Sequence, residues 1–77
     1  MREEIRRFIT KDIMRDPNYN LQDDEALISG GLIDSFSLVE LQLFIEEQFG
    51  VRIPDVDMTA ETANSLNQII VLIEASR

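Results

Sequence analysis

Gly31-Leu32-Ile33-Asp34-Ser35-Phe36-Ser37-Leu38-Val39-Glu40-Leu41-Gln42-Leu43-Phe44-Ile45-Glu46-Glu47-Gln48-Phe49-Gly50 is the stretch that decides how the chain folds. Asp34 and Ser35 are short polar side chains able to accept from the free N–H groups of a first helical turn, and Gly50 is a stop, so the spacing predicts a helix from Asp34-Ser35 to Phe49. A step of 100° per residue gathers Leu38, Leu41, Ile45 and Phe49 on one face, which is core. The opposite face carries Phe36, Val39 and Leu43 among Glu40, Glu46 and Glu47. A helix facing only water has little use for three apolar side chains in that arc. An apolar stripe fringed by carboxylates suits docking of a basic, partly apolar protein surface.

Outward from this helix, Ile5, Phe8, Ile9 and Ile13 recur at helical spacing within Arg2 to Arg15, an amphipathic helix that must end before Pro17. Residues 16–34 read as a long loop, tied to the core by Leu21, Leu27, Ile28, Leu32 and Ile33. Gly30-Gly31 lets the chain turn into the second helix; neither a Walker nor a dinucleotide fingerprint surrounds the pair. After Ile53-Pro54, Met58 to Ala63 has length for a short, weak helix only. Ser65 followed by Gln68 is a capping box, and Leu66, Ile69, Ile70 and Ile73 follow at helical spacing. The expectation is an all-α four-helix bundle, three longer helices and one short, with a long loop between the first and second. At 77 residues this is a single domain, 1–77.

Composition narrows the chemistry. Without His or Cys, the chain has no Ser-His or Cys-His nucleophile, no finger-type zinc site and no disulfide. Asp16, Asn18 and Asn20 have the spacing that opens a calcium loop, but Leu21 stands where glycine is needed and Leu27 where a bidentate Glu is needed, so no metal site is assigned. Glu46 and Glu47 are adjacent and point apart on a helix, which excludes a glycosidase-type pair. The net charge is −8, and Arg52 alone offsets the acids between residues 16 and 64, so nucleic acid is not expected as a partner. No membrane span and no signal peptide are read, and the expected location is cytoplasmic.

Ser35 stands where the loop meets the helix N-terminus, at the positive end of the helix dipole and beside the acidic, apolar face. With no base of its own, this serine can only be modified by another protein.

Gly31 to Leu41, Phe44 to Gly50 and Ile53-Pro54 together resemble the acyl and peptidyl carrier protein family, and the similarity runs without a gap from about Gly30 to the end. The resemblance implies a non-enzymatic, monomeric four-helix carrier. Its Ser35 would be esterified by 4′-phosphopantetheine taken from coenzyme A by a magnesium-dependent phosphopantetheinyl transferase. The thiol of that arm would hold an acyl, aryl or aminoacyl thioester and pass it between partners with basic docking patches: an acyl- or aminoacyl-adenylating ligase, or enzymes of fatty-acid or polyketide type. By position, Asp34 would adjoin the arm, and Asp34, Val39, Glu40, Leu43, Glu46, Glu47 and Ile53 would be docking contacts. Ser37 stands where fatty-acid carriers usually have Asp, Phe36 where Leu is commoner and Ala63 where a bulkier residue often packs. The Gly-Leu-Ile-Asp-Ser-Phe run looks closer to stand-alone carriers that serve adenylating ligases, D-alanine carriers among them. From a different class, an unmodified helical adaptor could use the same acidic face for binding alone.

Overall fold

The structure is a computed structural model describing residues 1–77, and all its regular elements are helical, with no strand. Three helices form it. The first, α1, spans Arg2–Arg7 and passes into a π-helical run, Phe8–Ile13. The second, α2, spans Ser35–Phe49, and the third, α3, spans Leu66–Ala75. A single 3₁₀ turn, Asp55–Asp57, lies between α2 and α3. α1 packs on α3, and the π-helical run packs on α2.

The expected amphipathic first helix is present but widened in its second half. Met14 N–H reaches back to Ile9 O and Asp16 N–H to Thr10 O, steps of five and six residues. Thr10 is buried, and its hydroxyl is satisfied inside the helix by Arg6 O at 3.1 Å. The widening carries Phe8 onto Phe44 of α2, with ring centroids 4.1 Å apart and nearly parallel, and Phe44 meets Phe49 edge-on at 6.3 Å. Arg15, at φ 57°, turns the chain out of the helix two residues before Pro17.

The four-helix expectation is corrected to three. Met58 to Ala63 forms no helix, only an isolated turn in which Ala63 N–H bonds Thr59 O at 2.8 Å. The cause is competition for the backbone. Thr59 Oγ1 accepts Glu61 N–H, the Thr62 hydroxyl donates to Asp57 O, and Asn64 N–H is taken by Gln68 Oε1 at 2.6 Å. Hydroxyls that bond nearby backbone groups offer an alternative to the helical ladder, and a run of six residues has no length to outbid them. The capping box is therefore shifted: Ser65 Oγ accepts from Gln68 N–H at 3.2 Å, but the Gln68 side chain reaches Asn64 instead of the cap residue itself.

The core is the union of the apolar faces read along the chain. Ile5 and Ile9, Leu41 and Ile45, and Leu66, Ile69, Ile70 and Ile73 are buried together, with Leu38 and Phe49 half-buried at the margin. Leu21, Leu27 and Ile33 are buried with them, so the long loop is anchored as its aliphatics required. Polar contacts complete the anchoring. Asn64 Oδ1 accepts from both Ile28 and Ser29 N–H at 2.9 Å, and its carbonyl accepts from Leu27 N–H at 2.7 Å. At the other end, the Arg6 guanidinium donates to Leu21 O and to the Asp23 carboxylate.

Candidate functional site

The site is built where this anchored loop feeds α2. Gly30 is there because a Cβ would stand 2.2 Å from Ala26 O, and Gly31 because its φ of 79° lies in the left-handed region. Past them Ile33 plugs into the core at 2% exposure, and Asp34 is extended at ψ 179°. Of the two candidate caps, Asp34 is the one used. Its Oδ1 accepts from Ser37 N–H at 2.8 Å. That backbone bond, supported by the Ser37 side chain, holds the Asp34 carboxyl below its ordinary value of 3.8. A carboxylate at this end of the helix also meets the positive pole of its dipole.

With the capping done by Asp34, Ser35 is the first residue of α2, exposed, and its hydroxyl has no intramolecular partner. A group esterified to this oxygen would displace no core atom. The arrangement suits a phosphodiester, an anion at a helix start, because the dipole and the uncapped N–H groups of the first turn favour negative charge there. The chain has no His to take a proton from Ser35, and the adjoining Asp34 carboxylate is engaged by Ser37 N–H.

The exposed apolar stripe read from helical spacing is present. Phe36 is 76% exposed, Val39 54% and Leu43 52%, and Glu40, Glu46 and Glu47 are exposed around them. None of these carboxylates has an ion-pair partner; the ion pairs of the structure all involve the N-terminus, Arg2 or Arg6. The face is thus apolar at its centre and uncompensated in charge at its rim. Ile53 is corrected as a surface position: it is buried at 1%, and its side chain is part of the core. Val56, which spacing alone did not single out, is 80% exposed on the 3₁₀ turn. No sequence period marks an irregular turn, so nothing in the chain's pattern could have separated the two.

No helix is long and apolar enough to cross a membrane.

A family model described as phosphopantetheine attachment site matches residues 4–70. The D-alanyl carrier protein of Leuconostoc citreum (strain KM20) is 29% identical over 75 residues, covering 97% of this chain and 94% of that protein. The D-alanyl carrier protein of Enterococcus faecalis (strain ATCC 700802 / V583) is 34% identical over 67 residues, 87% of this chain and 86% of that one. Among solved structures, a chain in a crystal structure of an FAD-dependent dehydrogenase superposes with a TM-score of 0.79 at 29% identity, over 88% of this chain and 96% of that chain. With most of its length matched in each case, the chain belongs to the phosphopantetheine-binding carrier proteins, whose working group is a covalently attached 4′-phosphopantetheine.

Proposed function

We propose that Ser35 bears the 4′-phosphopantetheine and that the cargo is an amino acid of the D-alanine kind, activated as an adenylate by a separate ligase. The observation that carries this reading is the likeness to two D-alanyl carrier proteins along most of both chains, set beside a partnerless Ser35 hydroxyl at the start of α2. Ser37 in place of the Asp usual in fatty-acid carriers supports the same choice.

Loading forms a bond between Ser35 Oγ and the phosphorus of coenzyme A that bears the pantetheine. The pyrophosphate bridge breaks, 3′,5′-ADP leaves, and the hydroxyl proton passes to a base on the transferase. Asp34 holds the helix start in place during this exchange, and Phe36, Val39, Glu40, Leu43, Glu46 and Glu47 present the docking face. The rim carboxylates steer an enzyme with a basic patch, and the three apolar side chains supply the area it covers.

The experiment is mass spectrometry of the intact protein after loading with coenzyme A, magnesium and a broad-specificity transferase. ATP, D-alanine and a D-alanine-adenylating ligase follow. One pantetheine increment and then one alanyl increment are expected. Pantetheine without alanyl, in a sample that an acyl-adenylating ligase charges with a fatty acid, would overturn the cargo. A protein taking no pantetheine at all would favour the unmodified adaptor.

A further inference from the structure

Every hydrogen bond that leaves residues 26–33 ends on Asn64. Its Oδ1 accepts from Ile28 N–H and Ser29 N–H at 2.9 Å, its Nδ2 donates to Ser29 Oγ at 2.9 Å, and its carbonyl accepts from Leu27 N–H at 2.7 Å. Asn64 is held in turn. Its own N–H donates to Gln68 Oε1 at 2.6 Å, and Gln68 N–H is capped by Ser65 at 3.2 Å, which fixes Asn64 to the first turn of α3. That helix is set in the core by Leu66, Ile69 and Ile73.

The other hydrogen bonds of residues 26–33 are internal and close the segment into a ring. Leu27 O accepts from both Leu32 N–H at 2.9 Å and Ile33 N–H at 3.0 Å, and Ile28 O accepts from Gly31 N–H at 3.2 Å. A continuous path of hydrogen bonds thus runs from α3 through Asn64 and Leu27 to Ile33, two residues before Ser35. Leu27 and Ile33 also bury their side chains in the core, but burial has no preferred direction. Hydrogen bonds, with their narrow ranges of distance and angle, set where the ring stands. Ser29, Gly30 and Gly31 are exposed and bring no apolar side chain, so between the two aliphatic anchors Asn64 is what registers the loop.

We infer that Asn64 is a positioning residue for loading at Ser35: it ties the loop that delivers the serine to the rigid start of α3 and so fixes where the hydroxyl stands at the head of α2. The inference rests on Ser35 as the loading site and adds the support that places it. Loosening the loop leaves the exposed stripe of α2 on its own buried residues, Leu41 and Ile45. Binding of the transferase is then kept, while the hydroxyl is misplaced for the transfer step, and a misplacement of about 1 Å is worth up to about a hundredfold in rate.

The test is the initial rate of pantetheine loading against carrier concentration, at saturating coenzyme A and well below the melting temperature of every variant. Asn64→Ala removes the three side-chain bonds and keeps the backbone bond to Leu27; it should lower kcat about tenfold and leave KM within about twofold. Asn64→Asp keeps the acceptor for Ile28 and Ser29, puts negative charge where the start of α3 favours it, and should recover most of kcat. Ile73→Val, a core change on α3 away from the clasp, should lower the melting temperature without lowering kcat. In the wild type, the amides of Ile28 and Ser29 should exchange slowly with deuterium although Ser29 is exposed. An unchanged kcat for Asn64→Ala, a rise in KM alone, or a kcat that falls with melting temperature in Ile73→Val as well would overturn the positioning role. So would free exchange of the two amides in the wild type, which needs no variant to fold. Whether the wild type loads at all tests the Ser35 reading separately, because only the ratio of kcat values and the amide exchange bear on Asn64.

Discussion

Asp34 and Ser37 share the hydrogen bond that frees Ser35: the carboxylate caps the helix by accepting Ser37 N–H at 2.8 Å, and the serine hydroxyl between them is left unengaged. The cap and the proposed attachment residue are thereby adjacent but separate, so they can be tested apart. Asp34→Ala should lower the melting temperature and fray the first turn of α2, whereas Asp34→Asn, which keeps an acceptor, should recover most of the loss. Circular dichroism melts of the two variants check this.

Acid should act on the same bond. The Asp34 carboxyl is lowered by Ser37, that of Asp23 by Arg6, and that of Glu25 by the Tyr19 hydroxyl. A carboxyl lowered in the folded state stabilises it fully above the unfolded value, 3.8 for Asp and 4.5 for Glu. That stabilisation fades as pH falls through the lowered folded values. The melting temperature should therefore hold from neutrality to about pH 5 and fall below it. Removing the Asp23 partner by Arg6→Gln should make that fall shallower.

Gly30 tests the close approach that shapes the loop before α2. Gly30→Ala puts a methyl 2.2 Å from a backbone oxygen, which no side-chain rotation can relieve. Overpacking of this kind costs about 1–3 kcal/mol, readable as a shift in the urea midpoint with an unchanged slope.

How much of this was legible beforehand depends on the kind of signal. α2 and α3 were readable because their apolar residues repeat at helical spacing and because Asp34, Gly50 and Ser65 are strong end signals. The left-handed Gly50, at φ 66°, is the stop that its position announced. The π-helical widening at Phe8–Ile13 was not readable, since it goes with burial of Thr10 and the Phe8–Phe44 stack, and both are matters of tertiary packing. The lost short helix has a local cause, the hydroxyls of Thr59 and Thr62, whose claims on the backbone a count of apolar residues does not weigh. At the site, the exposed face of α2 followed from helical geometry. That Ile53 is buried and Val56 exposed was not readable, because an irregular turn has no period from which to tell inside from outside.

Reversal of Glu40 and Glu47 to Lys should slow loading by the transferase, mainly through the association rate and most at low salt, because exposed rim charges act by steering. Neither carboxylate is paired within the chain, so the fold loses no ion pair. The reversal also relieves like-charge crowding along α2, and the melting temperature should stay level or rise. Stopped-flow or initial-rate measurements across a salt series give the slope.

The central claim is that Ser35 is where the pantetheine is attached, and the most direct measurement is the intact mass of Ser35→Ala, Ser37→Ala and Ser29→Ala after identical loading reactions. Ser35 is exposed and its hydroxyl bonds nothing in the chain, so Ser35→Ala should fold with a stability change within about 0.5 kcal/mol of wild type. The account predicts a folded, helical Ser35→Ala protein that gains no pantetheine mass while the other two variants load fully. A folded Ser35→Ala protein that still gains one pantetheine would contradict it.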